Sequence, residues 1–307
     1  MVSRFRRTVS FPKPTITTTI VSGRSSSSEK FYHIRSVSLP CRSHPLISQL
    51  NDEINDLKTW LSESDDERNS FWLCDGLIRL KNLHDSFNDY LQLSKTQESL
   101  CRRSDWIEKL LEDFLRFIDV FGLFRATLVT FKEEQSLAQV ALRRRDELKI
   151  VSYVKNRKKI DKELKKLVSN VKLIGKCSVI SHESLSSYND DAELVGILQD
   201  LNEVTVSFIV SMLNAISASS SMTSCIGSKM LMKKNKQSKS EQRIQEIEEI
   251  QMEDLRSLRK EGDKEVRNIL KKLEVLENCV VEIESESGKM FGSLMNTRVS
   301  LLNIVTQ

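Results

Sequence analysis

Residues 266–304 read VRNILKKLEVLENCVVEIESESGKMFGSLMNTRVSLLNI, and the spacing within them decides the fold. Val266, Ile269, Leu273, Leu276, Val280, Ile283, Ser287, Met290, Leu294, Thr297, Leu301 and Ile304 recur at alternating steps of three and four. A period of about 3.5 residues draws one seam along a long helix, and such a seam needs partner helices to cover it. Ser287 and Thr297 interrupt the apolar run, with Gly288 and Gly292 beside them. The pattern predicts a long packing helix in a bundle rather than a secure two-stranded coiled coil.

Composition points the same way. The 307 residues include only 9 glycines and 4 prolines, so turns are scarce and long helices are expected. A formal charge of +4 is nearly balanced and does not by itself argue for nucleic acid. The charge is unevenly placed, however. Arg143 to Lys176 holds thirteen Lys/Arg against four Asp/Glu, while Glu241 to the C-terminus holds ten against fourteen. Either these two helical regions face each other, or the basic one faces an acidic partner.

Six cysteines (Cys41, Cys74, Cys101, Cys177, Cys225, Cys279) and four histidines (His33, His44, His84, His182) lie far apart. No C-x-x-C or H-E-x-x-H spacing occurs, so no metal, cofactor or catalytic site is expected. A disulfide framework is disfavoured in a helical chain of this size, which fits a reducing compartment.

Upstream, residues 1–30 are rich in Ser and Thr, carry scattered Arg and Lys, and contain no acid before Glu29. Such a make-up suits a plastid or mitochondrial transit peptide as well as an ordinary disordered tail, and both readings stay open, as do cytoplasm and plastid. Arg7-Thr8-Val9-Ser10-Phe11-Pro12 is echoed by Arg35-Ser36-Val37-Ser38-Leu39-Pro40. The second copy fits R-S-x-S-x-P, the pattern that 14-3-3 proteins read when its second serine is phosphorylated. Arg35, Ser36, Ser38 and Pro40, with Arg7, Ser10 and Pro12, are therefore candidate phospho-docking residues. The structural alternative is a lead-in whose Pro40 and Pro45 fix the chain before the first helix.

From Leu46 the helices begin. Ile47, Leu50, Ile54, Leu57 and Leu61 mark the first, and Leu73, Leu77, Leu80, His84, Phe87 and Leu91 the second. His84 lies on the apolar seam and is expected as a core histidine. The third stretch runs from Ile107 to Leu142 with Phe114, Phe117, Phe121, Phe124 and Phe131 on one face, and Gly122 is a point where it could break. Ile150, Tyr153, Ile160, Leu164, Leu167, Val171 and Ile174 carry the fourth. Lys155, Arg157, Lys158, Lys159, Lys162, Lys165 and Lys166 form its candidate basic face, suited to an anionic membrane surface or an acidic protein, or else simply solvated.

Leu194 to Ile216 is apolar on nearly all sides, and no charge occurs from Val204 to Ser228. The dense part is short of the ~20 residues a span needs, so a buried central helix is expected. Ser217 to Ser240 is a Ser-then-Lys stretch expected to be a mobile linker near 217–240, followed by a less regular helix over 244–258.

Several of these stretches carry a family resemblance. His33-Ile34-Arg35-Ser36-Val37-Ser38-Leu39-Pro40 with Ser43-His44-Pro45 resembles the opening of the plant-specific Bypass-like proteins. Leu80 to Ser86, Arg143-Arg144-Arg145 and Arg298 to Ile304 look like the same family. The resemblance implies an all-helical plant protein with a role in root and shoot development and no established catalytic residues.

The expected architecture is thus all-α: an elongated multi-helix bundle of about six long antiparallel helices. It comprises a tail over 1–30, an extended Arg/Ser/Pro segment over 31–45 and a bundle over 46–307. The expected function is non-enzymatic interaction with protein partners, including a 14-3-3-type phospho-reader; the alternative is a membrane-associated protein that uses the apolar helix over 194–216 or the basic face over 155–166 on an anionic membrane surface. Nucleic acid is disfavoured, and oligomeric state stays open.

Overall fold

The C-terminal seam forms as one helix, and the other helices are placed by what it needs covered. The computed structural model describes residues 44–63, 68–177, 189–217, 243–250, 255 and 262–306. The tail over 1–30, the docking candidates Arg7, Ser10, Pro12, Arg35, Ser36, Ser38 and Pro40, and the linker beyond Ser217 lie outside those residues.

Among the described residues every regular element is a helix. In chain order these are α1 (Pro45–Glu63), α2 (Ser70–Leu91), α3 (Ser94–Arg102), α4 (Ser104–Arg144), α5 (Glu147–Cys177), α6 (Asn189–Ile216), α7 (Gln245–Glu248) and α8 (Asp263–Val305). The sequence predicts about six; α3 is additional and too short for a periodic signal, while α7 lies within the less regular stretch expected over 244–258.

α8 buries Ile269, Leu273, Leu276, Val280, Ile283, Met290, Leu294, Leu301 and Ile304 against α4 and α2. Its polar seam positions are buried too, because their hydroxyls bond to their own helix. Ser287 Oγ donates to the Glu284 carbonyl at 2.9 Å, and Thr297 Oγ1 to that of Ser293 at 3.1 Å.

Side-chain pairs fix the helix directions. Lys132 meets Glu284 at 2.7 Å and Gln139 Nε2 donates to Glu277 at 2.6 Å, so α4 and α8 are antiparallel. Ser293 Oγ donates to Asp85 at 2.5 Å and Ser300 Oγ to Asn88 at 2.6 Å, so α2 and α8 run parallel. The long antiparallel helices expected from sequence are seen in α4 with α8, and the long connection between α2 and α8 permits the parallel direction there.

Gly122 does not break α4, which continues through it for 41 residues. A mid-helix glycine costs about 1 kcal/mol, and packing on both sides outweighs that. α4 ends in a Schellman turn: Arg145 is left-handed (φ 54°), Arg145 N–H donates to Leu142 and Asp146 N–H to Ala141. Asp146 Oδ1 then accepts the Lys149 N–H at 3.2 Å and starts α5.

α6 packs on α5, α1 and α2 as the expected core helix. By length and composition alone Ala192–Ile216 is long enough to cross a membrane, which corrects the shorter apolar run read from sequence; 61% of its most apolar window is buried in the bundle.

Of the helix expected over 244–258, the described residues are 244–250 and Leu255. Gln245–Glu248 and Leu255 are helical, and the first works as a strap. Ile244 N–H donates to Ala215 at 3.0 Å and Gln245 N–H to Arg68 at 2.8 Å. The Glu246 carboxylate accepts the Ser70 N–H at 3.0 Å and its hydroxyl at 2.7 Å, a favourable anion at the N-terminus of α2.

Candidate functional site

The charge that the sequence concentrates on the fourth predicted helix lies on α5, whose two sides differ sharply. Ile150, Tyr153, Val154, Ile160, Leu164, Leu167, Val168, Val171 and Ile174 are buried against α4 and α6. The opposite side exposes Lys155, Lys158, Lys159, Lys162, Lys165 and Lys166. Lys166 pairs with Glu163 at 2.8 Å; the other five lysines have no ion-pair partner among the described residues. α8, the long described part of the acidic C-terminal region, packs on α4 and α2.

Arg157 does not belong to the basic face. It is 2% exposed and points inward, where its guanidinium carbon lies 3.7 Å from the Phe131 ring centroid. Nη2 donates to the carbonyl of Ile216, the last residue of α6, at 3.0 Å. Two residues along a helix turn the side chain about 200° away from Lys155 and to the core side. Burial pushes the Arg157 pKa down, with Tyr153 and Asp161 opposing and Arg243 adding to the shift. It stays charged, because an arginine is not deprotonated in a protein.

A second polar site is internal. A cavity of about 20 Å³ is lined by His84, Asp113, Asn202 and Thr205 with Phe114 and Leu198, room for about one water. His84 Nε2 is 3.0 Å from Thr205 Oγ1, the ring stands edge-on to Phe114, and Nδ1 has no protein partner. Its burial bears out the reading of His84 as a core histidine. Burial pushes its pKa from 6.5 down to about 3, slightly opposed by Asp85.

That depression has a sign. The folded protein holds His84 neutral, so its contribution is fully present above about pH 6.5 and is lost as pH falls toward 3. Urea unfolding should show stability dropping by about 1.4 kcal/mol per pH unit across that window from this group, and His84→Gln should flatten the slope. An identical slope in the variant would count against a neutral buried ring.

Among the described residues the cysteines form no reactive centre. Cys74, Cys101 and Cys279 are free, and burial with the nearby Glu282 and Glu286 pushes the Cys74 thiol up to about 12. Such a thiol stays protonated and inert. No group of three or more metal-type side chains comes together among the described residues.

Among the described residues, fold and site together define an all-α bundle protein with an unneutralised lysine face on α5. The family model described as Protein BPS1 matches residues 76–304, and the chain belongs to that family. The match bears out the resemblance read from Leu80 to Ser86, Arg143-Arg144-Arg145 and Arg298 to Ile304, and it includes all of α5. No curated protein and no solved structure matches the chain.

Proposed function

We propose that the protein is a non-enzymatic helical interaction and regulatory protein of plant root and shoot development, and that it docks through the lysine face of α5. The uncompensated charge carries this reading. Lys155, Lys158, Lys159, Lys162 and Lys165 lack partners among the described residues, whereas Lys58, Arg79, Lys81, Arg116 and Lys132 each pair with a carboxylate. A row of like charges repels itself and gains when an anionic partner neutralises it. Family membership supports the developmental role at a coarse level.

A second docking element is the Arg35–Pro40 segment, with Ser38 phosphorylated and held by the arginine cluster of a 14-3-3-type reader. Its support is the sequence pattern alone. The apolar residues that share the solvent side of α5 favour an anionic membrane surface as the partner of this face.

Proximity labelling in plant cells tests the docking reading. The combined variant K155E/K158E/K159E/K162E/K165E is expected to lose most of the wild-type neighbours, while S38A loses only capture by a 14-3-3 protein. An unchanged set of neighbours in the lysine variant, with the protein still folded, would sink docking through α5.

A further inference from the structure

The solvent face of α5 carries apolar groups as well as charge. At about 100° per residue, Leu148, Val151, Lys155, Lys162, Lys166 and Leu173 fall within about 40° of one line along the helix. Leu148 is 84% exposed, Val151 59% and Leu173 56%. The lysines occupy the middle of this line and the apolar residues its two ends, about 37 Å apart at the helical rise.

We infer that this face lies flat on an anionic phospholipid bilayer, a step that rests on α5 being the docking surface. The lysines sit among the headgroups, their stems reaching along the interface, while Leu148 with Val151 at one end and Leu173 at the other dip into the acyl boundary.

The arrangement fits other anionic partners less well. Protein interfaces place apolar groups at the centre and charge at the rim, and here the order is reversed. Single-stranded nucleic acid is gripped by aromatic stacking and planar guanidinium groups. The exposed face carries no aromatic side chain, and Arg157, the one arginine within the helix, is buried.

Attachment of this kind is salt-sensitive and reversible, because α5 commits its other side to the bundle and offers only shallow anchors. A transmembrane insertion of α6 would be neither.

The test is sedimentation of the full-length protein with vesicles of phosphatidylcholine alone or of phosphatidylcholine mixed with phosphatidylserine. Binding is expected on the mixed vesicles only, released by salt well above physiological ionic strength. K155E/K158E/K159E/K162E should weaken it more than about tenfold. L148S/V151S/L173S should weaken it less, and mainly the part that survives moderate salt. All these positions are exposed, so unchanged circular dichroism and melting certify the variants as folded.

Equal binding to neutral vesicles, indifference to the α5 substitutions, or no binding at all would overturn the inference. So would an RNA oligonucleotide or an acidic polypeptide that binds the same lysines more tightly than the mixed vesicles do. Loss of cellular neighbours in the lysine variant alongside failed vesicle binding would leave α5 docking standing and remove only the bilayer.

Discussion

Arg157→Ala is expected to lower the free energy of unfolding by about 3–5 kcal/mol, the range for breaking a buried charged contact from one side. Arg157 joins three helices: it sits on α5, stacks on Phe131 of α4, and donates to the Ile216 carbonyl at the end of α6. That carbonyl is one of the last four of its helix, which have no partner within it. A cation there also meets the negative end of the helix dipole. Alanine would leave the Ile216 carbonyl short of a donor, Asp161 short of a neighbouring cation, and a cavity over the Phe131 ring.

Arg157→Lys should recover little, since an ammonium cannot both stack flat and reach the carbonyl as the planar fork does. Arg157→Met keeps most of the volume without a charge to bury, so it should lose less than alanine. Urea unfolding at neutral pH reads all three. A loss under about 1 kcal/mol for alanine would show that Arg157 is not the joint between α4, α5 and α6.

The same residue shows what the sequence could and could not disclose. On α5 the apolar ladder runs Ile150, Tyr153, then Ile160, Leu164, Leu167, and its alternation skips one step. Arg157 fills that step, so the period marked it as a core position while its charge marked it as surface. Periodicity was the better guide, because geometry places every third or fourth side chain on the same side whatever its chemistry. Ser287 and Thr297 on α8 teach the same lesson, being buried with their hydroxyls turned onto their own helix.

Pairing was less legible. A seam says that a helix is covered but not by which neighbour or in which direction, so the parallel run of α2 and α8 came only from contacts such as Asp85–Ser293. The apolar residues Ile244, Ile247, Ile250 and Leu255 suggest a helix, and they are indeed buried. What they do not disclose is that the strap begins with backbone bonds from Ile244 to Ala215 and from Gln245 to Arg68. On the candidate site, counting charges pointed to α5, whose lysines are exposed, whereas the exposed Leu148, Val151 and Leu173 mattered only once the helix had a solvent side.

Gly76→Ala should destabilise the protein by about 1–3 kcal/mol even though alanine is the better helix former. A Cβ built at Gly76 would stand 2.3 Å from Phe208 Cε2, and 2.5 and 2.9 Å from two atoms of the Trp60 ring. Carbon atoms do not approach so closely, and the neighbours have little room. Phe208 is fully buried on α6, and Trp60 of α1 stacks on Trp72 with centroids 4.8 Å apart and planes 7° apart. The missing side chain is thus what lets α1 and α6 meet over α2. Relief would require Trp60 to swing off Trp72, so tryptophan fluorescence should change along with the melt. Gly76→Val adds two more carbons to the same space and should abolish cooperative folding. Gly196→Ala and Gly292→Ala supply the contrast: nothing lies within 4 Å of either Cβ, so each should gain about 0.5–1 kcal/mol from propensity alone. A Gly76→Ala protein that melted with the parent and kept its fluorescence would mean that the ring contacts at this three-helix junction yield freely, and that α2 tolerates a side chain where α1 and α6 converge.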